Sequence, residues 1–252
     1  MALLEATNIS KRFGGIVALS ELSLGVEAGE AVGLVGPNGA GKTTLFNCLL
    51  GILRPNTGQI CFDGHVLTHM SIYRRARLGI GRTFQRIELF TEMTARDHLL
   101  VAARARSGHG ALWKDLLNQG GPTAGEQAQA TAVLELLGID DVADLPVEAL
   151  SLGHGRLVEL GRALITEPRL LLLDEPSSGL DRMESLALAR VLSRVQQERG
   201  VAILLVEHDL EMVQRVVTHL AVLDLGQLIA DGPTAEVMGD SNVRRAYLGE
   251  AV

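Results

Sequence analysis

Hydrophobic residues along the chain fall into three patterns. Short, almost unbroken aliphatic runs occur at 31–35, 170–173 and 201–206. Such runs fit strands covered on both faces of a parallel sheet, where no position looks at water. Residues 3–26 alternate weakly around Phe13-Gly14-Gly15, which predicts two strands joined by a turn and forming an antiparallel layer. Residues 58–64 predict a strand closed by a turn, 78–85 a strand ending in Gln85, and 220–230 a hairpin about Gly226. Helical patterns cover 45–50, 71–77, 95–106, 126–137, 156–166, 184–198 and 210–217, with two short helices towards the C-terminal end.

Strands and helices alternating in this way predict a single α/β domain. Residues 1–86 and 158–252 form its core and antiparallel layer, and the wholly helical stretch 87–157 reads as an inserted subdomain. Breakers at 107–110 and 119–122 interrupt that stretch, so residues 120–125 read as a mobile connection, and Trp113 is assigned to packing within the subdomain.

Composition narrows the class. The chain has 252 residues, 47% hydrophobic, with a formal net charge of −7. A mean hydropathy of +0.22 raises the question of a membrane span. The longest apolar run, 201–206, is far short of the ~20 residues a spanning helix needs. Strands buried on both faces account for the excess hydrophobicity. The N-terminus has no basic region followed by an apolar core, so no secretory signal is expected. The acidic balance argues against a nucleic-acid partner. Cys48 and Cys61 form no metal-binding spacing and read as reduced thiols.

Candidate chemistry begins where the first apolar run ends. Gly36-Pro37-Asn38-Gly39-Ala40-Gly41-Lys42-Thr43-Thr44 lies between a predicted strand and a predicted helix, the context of a phosphate-binding loop. Backbone N–H groups must wrap phosphate oxygens there, which explains the glycines. Lys42 is expected to reach the β- and γ-phosphates and the Thr43 hydroxyl to ligate Mg²⁺. A chain of this length matches the bare pattern by chance roughly once in a hundred. The chain is therefore expected to bind a nucleotide.

The other candidates are weaker taken singly. Asp174 and Glu175 close the strand 170–173, where an Asp binds Mg²⁺ and a following Glu polarises water. Gln85 and His208 also end predicted strands and either face the ligand crevice or serve as ordinary loop and structural residues. Ser151 and Gly153, in a turn aimed at a helix, offer either a second phosphate site or a helix cap. Phe13 is either a platform for a purine base or a core residue.

In this order, these stretches resemble the ATP-binding subunit of ATP-binding cassette (ABC) transporters, from about residue 9 to residue 248. The resemblance implies a P-loop NTPase (RecA-like) core with an antiparallel β layer and an inserted α-helical subdomain. It implies ATP and Mg²⁺ as cofactors, Phe13 stacking on the base, and residues 36–44 holding the phosphates. Gln85, with Thr43 and Asp174, would serve the metal. Glu175 would be the catalytic carboxylate, assisted by Lys42, Gln85 and His208, with Asp181 in the following loop. Ser151 and Gly153 would close on the nucleotide of a second ATPase subunit. The usual signature Leu-Ser-Gly-Gly-Gln is here Leu150-Ser151-Leu152-Gly153-His154.

More narrowly, residues 10–15, 82–86, 89–94 and 247–250 look like the branched-chain amino acid importer ATPases. ATPases of urea importers and of lipopolysaccharide export share much of this pattern. The likeness implies a membrane permease partner, received in a groove that includes residues 87–93. It also implies, indirectly, a substrate-binding protein, and a peripheral place on the cytoplasmic face of the membrane. Rival readings are a soluble ABC ATPase of DNA repair or translation, and a non-hydrolysing nucleotide-dependent scaffold.

Overall fold

The computed structural model describes residues 2–83, 88–107, 121–240 and 243. Gln85, Trp113, residues 247–250 and the second C-terminal helix lie outside the described residues.

The aliphatic runs become the middle of a six-stranded sheet. Its order is β10 (Gln227–Pro233), β9 (His219–Asp224), β3 (Ala31–Val35), β8 (Ala202–Val206), β7 (Leu170–Asp174), β6 (Ile80–Arg82). Neighbours from β9 to β6 are parallel, and β10 returns antiparallel to β9. Alternate residues of these strands join two different cores. Val32, Leu34, Leu170, Leu172 and Leu204 face one way, while Ala31, Val35, Leu171, Leu173, Ile203 and Leu205 face the other. Residues that alternate between two apolar layers show no alternation in sequence, which is why these strands read as unbroken runs.

The first core is closed by the antiparallel layer and by α1 (Lys42–Leu50). In that layer β1 (Leu4–Phe13) pairs with β2 (Ile16–Val26) and with β4 (Thr57–Phe62), which carries the short β5 (His65–Val66). Only one face of this layer is buried, so its strands alternate. The second core is closed by α3 (Ala95–Ser107), α4 (Ala124–Leu137), α5 (Leu152–Leu164), α6 (Arg182–Arg199) and α7 (Leu210–Val216). Leu99, Leu134 and Leu137 of the helical stretch share one continuous cluster with Leu171 and Ile203 of the sheet. The remaining described helices, α2 (Ile72–Arg77) and α8 (Thr234–Gly239), are short.

Two sequence expectations need correction. Residues 123–125 are not a mobile connection: the Thr123 hydroxyl accepts from Glu126 N, the Glu126 carboxylate accepts from Thr123 N, and Gly125 lies inside α4. This reciprocal cap outweighs the glycine. Likewise α5 starts at Leu152 and not at Arg156, because Ser151 caps it and carries the helix through Gly153 and Gly155. Among the described residues no helix is long and apolar enough to cross a membrane.

Candidate functional site

Parallel register gathers the chemistry at one edge. Leu34 and Asp174 both pair with Val206, so β3, β8 and β7 end side by side. The segments leaving them carry Gly36 to Thr44, Glu207 and His208, and Glu175. The carboxyl edge of such a sheet is where ligands bind in open α/β folds. Thr83 N donates to Leu172 O at 3.1 Å, so β6 also reaches this edge, two residues before Gln85 in sequence.

The turn from Gly36 to Gly41 is locked from several sides. A Cβ on Gly36 would stand 2.1 Å from Leu223 O. Gly41 has φ +108, and a Cβ there would meet Ala18 O at 2.6 Å. Gly226 N donates to Ala40 O at 2.8 Å. Lys42 is 7% exposed and donates from Nζ to Gly36 O at 2.6 Å and Pro37 O at 3.1 Å. Burial lowers its pKa, while the charges of Glu175 and Asp174 push the other way. Asn38, Gly39 and Thr43 are exposed, and Thr44 is half-buried. At the far end of α1, buried Arg75 donates from Nη1 to Cys48 O at 2.8 Å and Leu49 O at 2.5 Å. A cation at a helix C-terminus complements the helix dipole, so α1 is anchored at both ends.

Beside the turn runs the β1–β2 hairpin. Ser20 N donates to Gly226 O, and Ala18 O lies against Gly41 and Gly226. Phe13, at the hairpin tip, is 46% exposed with Lys11 Nζ 5.3 Å from its ring centroid. It is a surface residue and not a core one.

Asp174 ends β7 half-buried, and its carboxyl is pushed up to about 6 by desolvation first, then by the charges of Glu175 and Glu207, with Lys42 opposing. Glu175 takes the left-handed backbone, φ +47, at a cost of roughly 1–2 kcal/mol for a residue with a Cβ. Its N–H donates to Val206 O at 2.8 Å. Negative charge crowded at a strand end, from Asp174, Glu175 and Glu207, suits a cation. Among the described residues there is no cluster of three or more His, Cys, Asp or Glu side chains that could hold a metal by themselves. Mg²⁺ sites that share their ion with substrate phosphates use only one or two protein groups, so the donor set fits.

His208 follows β8 with its side chain 61% exposed and Nδ1 3.7 Å from Glu207 Oε2. Sequence reasoning passed over Glu207 itself, which is fully buried. A carboxylate ending a wholly apolar run was the available signal. Asp181 N-caps α6 in a reciprocal cap with Glu184, and Asp209 N-caps α7.

Ser151 does act as a helix cap, its Oγ accepting from His154 N at 3.2 Å, with His154 Nδ1 3.3 Å away. Gly153 faces Glu184, and Leu152, 43% exposed, lies against Gly179. From the same helix, buried Arg156 donates to Ser178 O at 2.9 Å, and the Glu159 carboxylate accepts from Glu88 N at 3.0 Å. Sequence reading assigned neither residue a role. These bonds tie the Ser151 helix to the loop after Glu175 and to Glu88. Gln85 lies outside the described residues.

The chain is similar to known proteins. The family model described as ABC transporter matches residues 19–178, and one described as branched-chain amino acid ATP-binding cassette transporter matches residues 227–252. The chain is 36% identical over 251 residues to the high-affinity branched-chain amino acid transport ATP-binding protein BraF of Pseudomonas aeruginosa, covering 99% of this chain and 98% of that one. It is 33% identical over 250 residues to the lipopolysaccharide export system ATP-binding protein LptB of Haemophilus influenzae, with the same coverage. Among solved structures, the ADP conformation of MJ1267, an ATP-binding cassette of an ABC transporter, superposes with a TM-score of 0.86 at 32% identity, covering 99% of this chain and 100% of that one.

Proposed function

The chain belongs to the ABC transporter family, and on that premise we propose that it powers uptake of branched-chain amino acids as the ATP-hydrolysing subunit of an importer. The observation that carries the enzymatic half is the shared carboxyl edge, where Lys42, Asp174, Glu175 and His208 are delivered by neighbouring strands. The likeness to BraF and the C-terminal match at 227–252 support the substrate class.

In this reading residues 36–44 wrap the ATP phosphates with backbone N–H groups and Lys42 neutralises their charge. Phe13 stacks on the base. Mg²⁺, held by Thr43, Asp174 and Gln85, would neutralise the phosphate oxygens further. Glu175 orients or deprotonates the attacking water, and His208 and Gln85 sense the γ-phosphate. Ser151 and Gly153 of a second subunit cover the nucleotide from across a head-to-tail pair, with Asp181 at that boundary. Phosphoryl transfer relies mainly on positioning, so a site finished only on closure couples hydrolysis to opening.

The permease contact is assigned to a groove of about 480 Å³ lined by Ile72, Tyr73, Phe90, Met93 and Val101, with Arg77, Arg82 and Arg106 around it. Tyr73 is 65% and Phe90 69% exposed. An apolar floor with a basic rim fits a short partner helix that presents an apolar face and carboxylates. Within the chain, residues 87–157 are proposed as the subdomain carrying this groove's outer wall.

Affinity purification of the tagged chain from gently solubilised membranes tests the reading. Recovery of a multispan permease, a second ATPase and an amino-acid-binding protein is expected. Recovery of lipid-export components would favour the function named for LptB, and recovery of no membrane protein would remove the transport role.

A further inference from the structure

The loop that carries Glu175 is strained at Glu175 itself, φ +47, so something must hold it. Its amide end is fixed by the bond from Glu175 N to Val206 O at 2.8 Å. Its other end meets a group with no assigned role. Glu207 is 0% exposed, and both carboxylate oxygens are engaged. Oε1 accepts from Ser177 N at 2.8 Å and from Ser177 Oγ at 2.6 Å, while Oε2 accepts from His208 N at 3.0 Å. Ser178 N closes the turn back onto Glu175 O at 3.0 Å, and Arg156 holds Ser178 O.

A fully buried carboxylate is expensive unless its hydrogen bonds are met. Here three donors meet it, two from Ser177, two residues after Glu175, and one from the backbone of His208 itself. The same strand end therefore supplies both anchors of the Glu175 loop, Val206 O before it and Glu207 Oε1 after it. Its other oxygen fixes the backbone from which His208 projects. A left-handed non-glycine residue persists only where its surroundings over-determine it, and Glu207 is part of that determination.

We propose that Glu207 is a positioning residue that holds the Glu175 loop and the His208 backbone in one fixed relation, so that the two side chains meet the γ-phosphate together. The role of those two side chains is the one proposed above. Glu207 touches no nucleotide atom in this scheme and acts through Ser177 and His208.

The variant Glu207→Gln keeps the shape of the side chain. Its amide oxygen can still accept from Ser177, but its NH₂ then faces His208 N–H, donor to donor, so one arm of the yoke is lost. Ser177→Ala removes only the hydroxyl arm. Steady-state hydrolysis, binding of a fluorescent methylanthraniloyl-ATP and hydrogen exchange at the Ser177 and His208 amides are compared for the full chain and both variants. The expected result for Glu207→Gln is a fall in kcat of about 10- to 100-fold, with KM and nucleotide affinity within about twofold. Exchange at both amides rises together. Ser177→Ala, the milder change, gives a smaller fall in the same direction, and the double variant is no slower than Glu207→Gln alone, the sign of a shared network.

A merely structural carboxylate would instead lower melting temperature and active fraction while leaving kcat per folded molecule unchanged, and that result would overturn the proposal. So would a Glu207→Gln variant in which exchange rises at the His208 amide while protection at the Ser177 amide is unchanged. If the parent chain itself failed to hydrolyse ATP, the enzymatic reading would fall, and the exchange data would still decide whether Glu207 links the two segments.

Discussion

Residues 36–44 and residues 150–155 are both short glycine-containing stretches at a helix N-terminus, yet the fold treats them in opposite ways. The first is enclosed: Lys42 is buried and bonded to two carbonyls of its own loop, Ala40 is tied to Gly226, and Gly36 has no room for a methyl group. The second is open. Ser151 is exposed, Leu152 is 43% exposed, and the turn is held mainly by the Ser151 cap on α5. A turn braced at Gly36, Ala40 and Gly41 is already in the shape that wraps phosphate. One whose leading residues, Ser151 and Leu152, are exposed needs another surface to complete it. The contrast supports a division of labour in which the first turn binds nucleotide within one chain and the second acts only across a pair.

The largest effect is expected from striking the enclosed turn. Gly36→Ala puts a Cβ 2.1 Å from Leu223 O, backbone against backbone, with no flexible side chain to give way. Nucleotide binding by the isolated chain should be lost, read by titration with methylanthraniloyl-ATP. If the variant bound nucleotide within threefold of the parent, the loop would not be as rigid as its contacts indicate.

Next in size is Glu175→Gln, which leaves both turns intact and removes the carboxylate between them. Turnover should drop by about 10²-fold or more, in line with loss of a general base, while ATP binding is kept. With hydrolysis blocked, ATP should hold two chains together, so gel filtration with ATP should show a dimer. A variant that stayed monomeric with ATP would break the account in which the open turn is completed by a second chain.

Asp174 offers a smaller, pH-dependent effect confined to the enclosed side. Its carboxyl titrates near 6 in the fold against about 3.9 in an unfolded chain. The folded state thus binds this proton more tightly. The stabilisation is fully present below about pH 4 and is lost as pH rises through 6. Above that, the ionised group costs the nucleotide-free protein stability. Asp174→Asn should therefore melt higher at pH 7, by on the order of 1 kcal/mol after allowing for solvent screening, or about 2–4 °C for a chain of this size, although it no longer supports hydrolysis. Melting curves from pH 4 to 7 without nucleotide check this. A variant that melted lower than the parent at pH 7 would mean that Asp174 is favourably paired and not crowded.

What was legible from sequence follows the range of each interaction. The strands could be read because Leu170 to Leu173 and Ala202 to Val206 divide their side chains between two apolar layers, a burden each residue carries locally. The phosphate turn could be read because its glycines serve their own backbone. The carboxylate at the end of the run 201–206 marked Glu207, but its partner could not be read, since Ser177, its main donor, lies 30 residues away, and only the parallel pairing of β7 with β8 brings them together. Arg156 and Ser178 are likewise 22 residues apart. The start of α5 was misplaced because Gly153 and Gly155 look like breakers, and a capped helix tolerates them at about 1 kcal/mol each.

The smallest expected effect tests the open turn alone. His154 Nδ1 stands 3.3 Å from Ser151 Oγ, so the hydroxyl assigned to the other chain's γ-phosphate already has a neighbour within hydrogen-bonding range. His154→Gln removes the ring. It leaves the cap in place, because that bond comes from the backbone N–H of residue 154. Melting temperature and ATP binding by the isolated chain should not move. Turnover of the pair should rise by about two- to tenfold, the equivalent of one hydrogen bond worth about 0.5–1.5 kcal/mol. Unchanged turnover would count against His154 as a brake on closure. A change in nucleotide affinity of the isolated chain would instead show that the second turn contributes within its own subunit, and the contrast between the two turns would fail.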